Sequence, residues 1–496
     1  MSEKVGMFKR MKRCIGLALP ALLATSCMVG PKYEKPPLAP PTTFRSAITV
    51  SDTTSFADLP WWNVFNDKML QALIGEAIAN NLDLQIAAAR IEQARAIVNE
   101  VKSQSKPQLG YEASGTGQRA PIIQNGSVSP LTYGSLAGVL DVAWEFDVWG
   151  RVRHATQAAK ANLYAQEDVR RGIILTLVSD LAASYFRLIE LDREMQIADE
   201  SLDTYKKTLK LFTYRFEVGK DSKLPVERAQ ASYNASEAQK QDIKRQIVQL
   251  ENAISTLVGA YPRSIARGLP LTAQIMPQTP IGSTTALLQR RPDILGAEQN
   301  MVAANAEIGV AVANFFPKIG LSAFAGEAGI DIGSVWQRFG VWNGALSAAG
   351  PIYAGGQLQA AYHERQAYWD ETVAQYKLIV LRAFHETADA LIAEQTLVER
   401  RAALESQVLA LERSSNLAMA RYEAGRASYF EVLEALDQLF PAQSALAAAQ
   451  RDQLLAVVYL YKALGGGWNP ATPQSPKAIV TAATTLVPAR QGAPGK

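Results

Sequence analysis

Cysteine is nearly missing: the 496 residues hold two, Cys14 and Cys27, both within the first 27 positions. The rest of the chain therefore has no material for a disulfide framework or a thiolate metal site. Histidine is as scarce. None of the three, His154, His363 and His385, has the His-Glu-x-x-His spacing of a helical zinc site. The triple glycine Gly465-Gly466-Gly467 lacks the lysine and the strand-to-helix setting of a phosphate loop, and reads as a chain reversal. Carboxylates are plentiful, but no concave site can be argued for them. These gaps leave no cofactor to expect and no foothold for an enzyme. Charge of one sign is lacking too. Five of the 50 Lys and Arg and one of the 47 Asp and Glu lie in residues 1–26, which leaves 45 against 46 in the remainder. A nucleic-acid partner would have no electrostatic footprint to use.

The most informative absence is that of helix breakers. From Arg151 to Val218 there is no proline and one glycine, Gly172; from Gln357 to Ala424 there is neither. At ~1.5 Å per residue, a helix of about 68 residues reaches roughly 100 Å. The average globular helix has ~11–12 residues. In the first rod Ile174, Leu177, Leu181, Leu188, Leu191, Met195, Ala198, Leu202, Tyr205, Leu209, Phe212 and Phe216 keep a seven-residue rhythm, interrupted at Ser184. Such a seam must bury itself against another helix. A second stripe, Val178, Ala182, Tyr185 and Ile189, calls for a second neighbour. The other rod repeats the rhythm at Leu381, Phe384, Ala388, Leu391 and Val398, with Gln395 the polar exception.

The amino terminus has its own grammar. Lys4, Lys9, Arg10, Lys12 and Arg13 precede a short apolar run, Ile15 to Ala24, which is the pattern of a secretory signal and too brief to span a bilayer. It ends in Leu23-Ala24-Thr25-Ser26-Cys27, which resembles a bacterial lipobox with the leucine four places before the cysteine, where three is commoner. Residues 1–26 are thus expected to be a lipoprotein signal peptide, with Cys27 lipidated as the first mature residue. Ordinary cleavage beside an incidental thiol is the other reading. Residues 27–60 read as an extended, poorly ordered tether, proline-rich from Pro31 to Pro41.

A first repeat occupies residues 61–270. Trp61, Trp62 and Phe65 open it, with Trp61 and Trp62 read as a packing anchor and a ligand-stacking pair as the other reading. A helix from Lys68 to Gln104 follows, with Asn80-Asn81 a point of interruption and Pro107 its end. Strand-like residues run from Gln108 to about Gly117, then a loop with Pro121, Asn125-Gly126 and Pro130, then a clear alternation from Tyr133 to Phe146. There Leu136, Gly138, Leu140, Val142, Trp144 and Phe146 face one way, and Ser135, Ala137, Val139, Asp141, Ala143 and Glu145 the other. That pattern suits a membrane β-strand of ~9–11 residues, and equally a half-buried strand of a soluble sheet. The rod follows, turns at Gly219, and returns over Val226–Val258. An inter-repeat crossing covers 271–286. The plan recurs in a second repeat at 287–468: helix Ile294–Phe316, strands near Ile319–Ala325 and Trp342–Ile352, the second rod to Gly425, and a return helix Tyr429–Leu464 containing Pro441. An internal duplication of about 210 residues is the expectation. The tail at 469–496 reads as disordered.

Four strands of ~10 residues cannot close a barrel, and open edges in hydrocarbon cost several kcal/mol per unpaired group. Several chains must pool strands if the strands span. Several stretches carry a family likeness: Trp62-Asn63-Val64-Phe65 with Asn81-Leu82-Asp83-Leu84, Arg290-Arg291-Pro292-Asp293-Ile294 with Ala297-Glu298, and Ala303 to Gly309 followed by Phe316-Pro317. Gly350-Pro351-Ile352, Gly355-Gly356 and the closing Ala463 to Trp468 complete the set. In this order the chain resembles a TolC-like outer-membrane factor of the lipoprotein branch that serves tripartite efflux pumps. The resemblance implies an α+β membrane protein: a homotrimer with a twelve-stranded β-barrel in the outer-membrane lipid, a twelve-helix α-barrel through the periplasm and a mixed equatorial domain. It implies two partners, a periplasmic adaptor protein and an inner-membrane RND-type transporter. The function implied is an exit duct for drugs, toxic small molecules or metal ions. A duct for type I protein secretion and a non-conducting periplasmic coiled-coil scaffold are the alternatives.

By the same resemblance Tyr422, Gly425, Phe430, Glu431 and Glu434 match positions that form the closed periplasmic aperture. Helical spacing puts Phe430, Glu431 and Glu434 on one face. Around a symmetry axis they would give an acidic ring and a hydrophobic constriction. Alone, the same spacing also fits solvated charge at a helix end. The first repeat has Pro225 where the second has Glu431. The turns, with Gly219, Lys220 and Asp221 in one and Gly425 and Arg426 in the other, are implied adaptor contacts; turn chemistry explains their glycines equally well.

Overall fold

The structure is a computed structural model and describes residues 28–467 except 42, 46–56, 58–63, 65–66, 125, 278, 280–283 and 333–334. The signal at 1–26, Cys27, Trp61, Trp62, Phe65 and the tail at 469–496 lie outside the described residues. The first repeat gives helices α1 (Lys68–Asn80) and α2 (Leu82–Ser103), strands β1 (Gln108–Gln124) and β2 (Ser127–Phe146), and helices α3 (Arg151–Glu217) and α4 (Lys223–Leu257). After a short 3-10 turn at Leu271–Ala273 come α5 (Thr284–Arg290), α6 (Pro292–Ala313), β3 (Lys318–Ile332), β4 (Val335–Ala349), α7 (Gln357–Glu423) and α8 (Tyr429–Ala463). The order recurs, and so do the lengths: α3 and α7 each have 67 residues, α4 and α8 each 35. Two compact units share these elements: one of residues up to Pro37, Arg90–Glu167 and Gly296–Lys377, the other of Leu38–Ala89, Asp168–Leu295 and residues from Leu378.

The first unit holds the sheet, antiparallel in the order β1-β2-β3-β4. The strands are longer than the sequence suggests. Pro121 and Pro130 do not lie in a loop; they pair with each other in the β1–β2 ladder, and the connection shrinks to Asn125-Gly126. Proline lacks the N–H, so it is confined to places where that group has no ladder to join. Both sites qualify. β1 is an edge strand, and β2 at Pro130 has run past the end of its pairing with β3, which stops at Tyr133–Ile332. Likewise β3 runs on to Ile332 and β4 begins at Val335, and β4 ends at Ala349, short of the expected Ile352. Chain residues 28–37 are a second correction. They are extended but fixed: Val29 N–H donates to Trp149 O (3.2 Å), Asn305 Nδ2 to Pro31 O (3.2 Å) and Lys35 pairs with Glu298 (2.6 Å). His154 is buried here, bonded to Val29 O at 2.7 Å; there is no room at position 309 for anything but glycine, since a Cβ would sit 2.5 Å from the imidazole.

The second unit holds the main apolar core. Leu70 and Ile74 of α1, Leu177, Leu181, Tyr185 and Leu188 of α3, Ile254 of α4, and Leu454, Val458 and Tyr461 of α8 are buried together. Asp67 caps α1 through Met69 N–H (2.9 Å) and Leu70 N–H, and its other oxygen accepts from Tyr185 OH (3.0 Å), Leu269 N–H (3.1 Å) and Gln274. Asn81 breaks the first helix and caps the second through Leu84 N–H (3.1 Å). The seam of α3 is buried at Leu177, Leu181, Leu188, Leu191, Ala198, Tyr205 and Phe212 and half-buried at Ile174, Met195, Leu202 and Leu209; Phe216 is exposed. The seam of α7 behaves differently: Leu391 is buried, but Leu381 is 67% and Val398 52% exposed. Among the described residues those positions have no helix covering them.

Candidate functional site

Two surfaces are built for work, one in each unit. On the sheet, residues opposite one another across a ladder share a face. The register therefore places Leu109 and Tyr111 of β1, Leu136, Leu140 and Val142 of β2, Leu321 of β3 and Trp342 and Leu346 of β4 on one side. Tyr111 is 85% and Trp342 82% exposed. The opposite side carries Glu112, Ser114, Thr116, Asp141, Ser322 and Asn343, with Val139, Phe324 and Phe339 among them. An exposed apolar face with a polar reverse is the alternation of a lipid-facing sheet. One described helix, α3, is also long and apolar enough by length and composition to cross a membrane, but half of that window is buried inside the chain. Its apolarity is accounted for by the core it enters.

The second surface is the pair of hairpin tips. Each rod ends on a glycine with positive φ, +72° at both Gly219 and Gly425. In each case the glycine N–H and the next N–H turn back onto the last helical turn. Gly219 N–H meets Phe216 O (3.0 Å) and Lys220 N–H meets Arg215 O (2.8 Å); Gly425 meets Tyr422 O (2.9 Å) and Arg426 meets Arg421 O (2.8 Å). This double bond is the Schellman stop, which needs the left-handed conformation that glycine adopts freely. Ser222 and Ser428 then start the return helices with extended backbone.

Between the tips lies an aromatic cluster. Phe212 of α3 packs edge-on against Tyr429 (3.9 Å between centroids) and Tyr422 (5.7 Å), over Val432, Leu433 and Leu436 of α8. Tyr422 is buried rather than presented to a lumen. Its hydroxyl donates to Asp221 Oδ2 (3.4 Å), its ring lies 5.1 Å from the Arg215 guanidinium carbon, and Arg215 binds the same Asp221 oxygen at 2.6 Å. Burial first, and then the Asp221 charge, push the Tyr422 phenol up, so it stays a neutral donor. The hydrogen bond to Asp221 likewise holds Arg215 above its ordinary value. The hydroxyl of Tyr429 is buried without a partner, and burial raises it as well.

The other expected aperture residues sit on the outer face of α8. Phe430, Glu431 and Glu434 are exposed while Val432, Leu433, Ala435 and Leu436 are buried. Two of the three have cationic company that the spacing of α8 alone does not reveal. Arg421 lies 3.8 Å from Glu431, and the Arg228 guanidinium carbon of α4 lies 5.7 Å from the centre of the Phe430 ring. Of the turn residues, Gly219, Lys220, Gly425 and Arg426 are exposed, whereas the Asp221 carboxylate is taken internally. No cluster of three or more His, Cys, Asp or Glu arranged to hold a metal occurs among the described residues.

A sheet with exposed apolar residues joined in sequence to paired long helices has the make-up of a β-and-α membrane protein. The profile of the outer membrane efflux protein family matches residues 73–260 and 284–466, and the chain belongs to that family. Its likeness to named members is close to full length. It is 34% identical over 474 residues to a probable efflux pump outer membrane protein, TtgC of Pseudomonas putida, covering 94% of this chain and 97% of the relative. It is 29% identical over 458 residues to the cation efflux system protein CusC of Escherichia coli, covering 92% and 98%. The solved outer-membrane channel OprN superposes with a TM-score of 0.81 at 29% identity, covering 90% of this chain and all of OprN. The chain is thus an outer-membrane efflux channel protein with a TolC-like fold. Its family is one of channels, not of enzymes.

Proposed function

We propose that this chain is one third of an exit duct: a homotrimer whose four strands per copy close a twelve-stranded barrel in the outer membrane, with the paired rods forming a twelve-helix tunnel. The observation that carries the reading is the open sheet. β1 and β4 each have a single neighbour, and the exposed face is apolar. Backbone groups left unpaired in hydrocarbon cost several kcal/mol each, so the edges of different copies must join. The exposed Leu381 and Val398 of α7 supply the helical counterpart, an apolar seam left uncovered among the described residues. Repetition of the 67- and 35-residue helices supports an internal duplication. Three as the number of copies rests on the likeness to TolC-like channels.

Cys27 carries the lipid in this reading, after removal of residues 1–26. A periplasmic adaptor docks on the exposed turn residues Gly219, Lys220, Gly425 and Arg426. An inner-membrane RND-type transporter supplies the cargo. Relatives are named for antibiotic, toluene and cation efflux, which supports small molecules or metal ions as the class exported. Phe430, Glu431 and Glu434 line the closed periplasmic aperture, and the Asp221–Tyr422 bond holds the second hairpin to the first beside it. The test is purification of the mature protein followed by planar-bilayer recording. Trimers in detergent that give discrete current steps are expected. A water-soluble monomer that gives none would end the proposal and leave the scaffold reading.

A further inference from the structure

Where the strands of the first unit meet its helices, the sheet changes character. Trp144 and Phe146, which end the apolar face of β2, pack edge to face at 4.5 Å between centroids. Just beyond them Trp149 stacks on Phe316 at 4.7 Å. Large aromatic side chains gathered at one end of an apolar face form the girdle that settles at a lipid–water boundary. Trp144 Nε1 donates to Ser105 O (3.0 Å), and Ser105 lines a cavity of about 420 Å³ on the helical side of this girdle.

The cavity has the donors for a phosphate and no like charge to repel one. Lys102, Arg153 and Lys160 line it with the hydroxyl-bearing Ser105, Thr156 and Tyr164, and no Asp or Glu does so among the described residues. Arg153 is held in place: its Nε donates to the Asp147 carboxylate (3.1 Å), and its Nη2 to the Asp147 and Val148 carbonyls (3.0 and 3.3 Å). Lys102 comes from α2 and Lys160 from α3, and neither has an acid partner among the described residues. Two cations sharing one cavity repel each other, and an anion between them turns that repulsion into attraction. The start of the described chain lies at the same place. Val29 N–H bonds Trp149 O at 3.2 Å, and a Cβ placed on Gly150 would come 3.3 Å from both the Met28 Cα and an Arg153 guanidinium nitrogen. Met28 follows Cys27 in the sequence, so the lipid attachment point proposed above is one residue from this contact.

We propose that this basic cavity binds the phosphate headgroup of an anionic phospholipid from the leaflet facing the helices, with Lys102 and Lys160 supplying charge and Arg153 a fixed donor. The site rests on the reading of the sheet as lipid-embedded, and adds to it a lipid ligand. A phosphodiester only accepts hydrogen bonds, which matches a lining of ammonium, guanidinium and hydroxyl groups. Basic pockets just outside the hydrocarbon are where membrane proteins hold lipid headgroups. A lipid bound here fixes the height of the strands against the bilayer, next to the aromatic end of the sheet.

The test counts lipid retained by the full-length channel in detergent, using native mass spectrometry. The probes are phosphatidylglycerol, phosphatidylcholine (whose choline cancels the phosphate charge) and inorganic phosphate. Wild type should retain phosphatidylglycerol over phosphatidylcholine, and an equal concentration of inorganic phosphate should not displace it. A cation beside an anionic headgroup is worth about fivefold in affinity, so Lys102→Gln with Lys160→Gln should weaken retention by roughly thirtyfold. Lys206→Gln with Lys210→Gln removes the same charge from exposed positions of α3 in the second unit and should change nothing. Equal retention of the two lipids by wild type, displacement by phosphate, or unchanged retention in Lys102→Gln with Lys160→Gln would overturn the proposal. Planar-bilayer recording of the same preparation tells the two readings apart. Current steps without lipid preference overturn this site alone, and the absence of steps overturns the duct with it.

Discussion

The two hairpins have the same backbone and different jobs. Each is a 67-residue helix, a glycine stop at φ +72° and a 35-residue return. Yet α3 buries Leu177, Leu181, Leu188 and Leu191, while α7 leaves Leu381 and Val398 outside. At the tips the first hairpin supplies the holding groups, Phe212, Arg215, Asp221 and Arg228, and the second supplies what is presented, Phe430, Glu431 and Glu434. At the aromatic cluster the two hairpins thus differ: the first carries the groups that hold, the second the face formed by Phe430, Glu431 and Glu434. Pro225 in the place answering to Glu431 fits that division.

Three sets of substitutions would break or sharpen the comparison. Phe212→Ala empties the centre of the aromatic cluster that the second hairpin rests on; loss of about 3–5 kcal/mol is expected for so buried a ring. Denaturant unfolding in detergent measures it, and a loss below about 1 kcal/mol would show that the tips are not held by this cluster. Gly219→Ala and Gly425→Ala come next. Each forces a Cβ into the left-handed conformation at about 1–2 kcal/mol, and the two costs should agree because the turns are the same. Unequal melting shifts would mean that one turn has strain the other lacks. The smallest effect on stability, within about 0.5 kcal/mol, belongs to Glu431→Ala with Glu434→Ala, since both side chains are exposed. Its effect should appear in conductance instead: a leakier closed pore and greater vancomycin sensitivity of the cell. Unchanged single-channel conductance and unchanged sensitivity would remove these residues from the aperture.

Long-period features were open to a reader of the sequence. The rods expected over 151–218 and 357–424 span 151–217 and 357–423, because a missing breaker over so many residues leaves the helix no competitor. Strand ends were hidden. Pro121 and Pro130 look like loop residues until the register shows that neither owes an N–H to a neighbour. The exposed face Phe430, Glu431 and Glu434 could be read from helical spacing, but Arg228 beneath Phe430 could not. Tyr422 carries the same lesson more sharply. The resemblance gave it as an aperture position, but nothing local points to its partner Asp221, which stands 201 positions earlier.

The sequence by itself determined the local conformations: where helices run without a break, where a glycine stops them, and which strand residues alternate. These follow from backbone sterics and short-range periodicity, which every few residues state again. Only the tertiary structure decided which stripe is buried, which carboxylate is spent inside and which is left facing out. Burial and ion pairing depend on groups hundreds of residues apart meeting within a few ångströms, as Glu190 and Arg451 do across 261 positions. No local pattern encodes that meeting; the packing of the hairpins creates it.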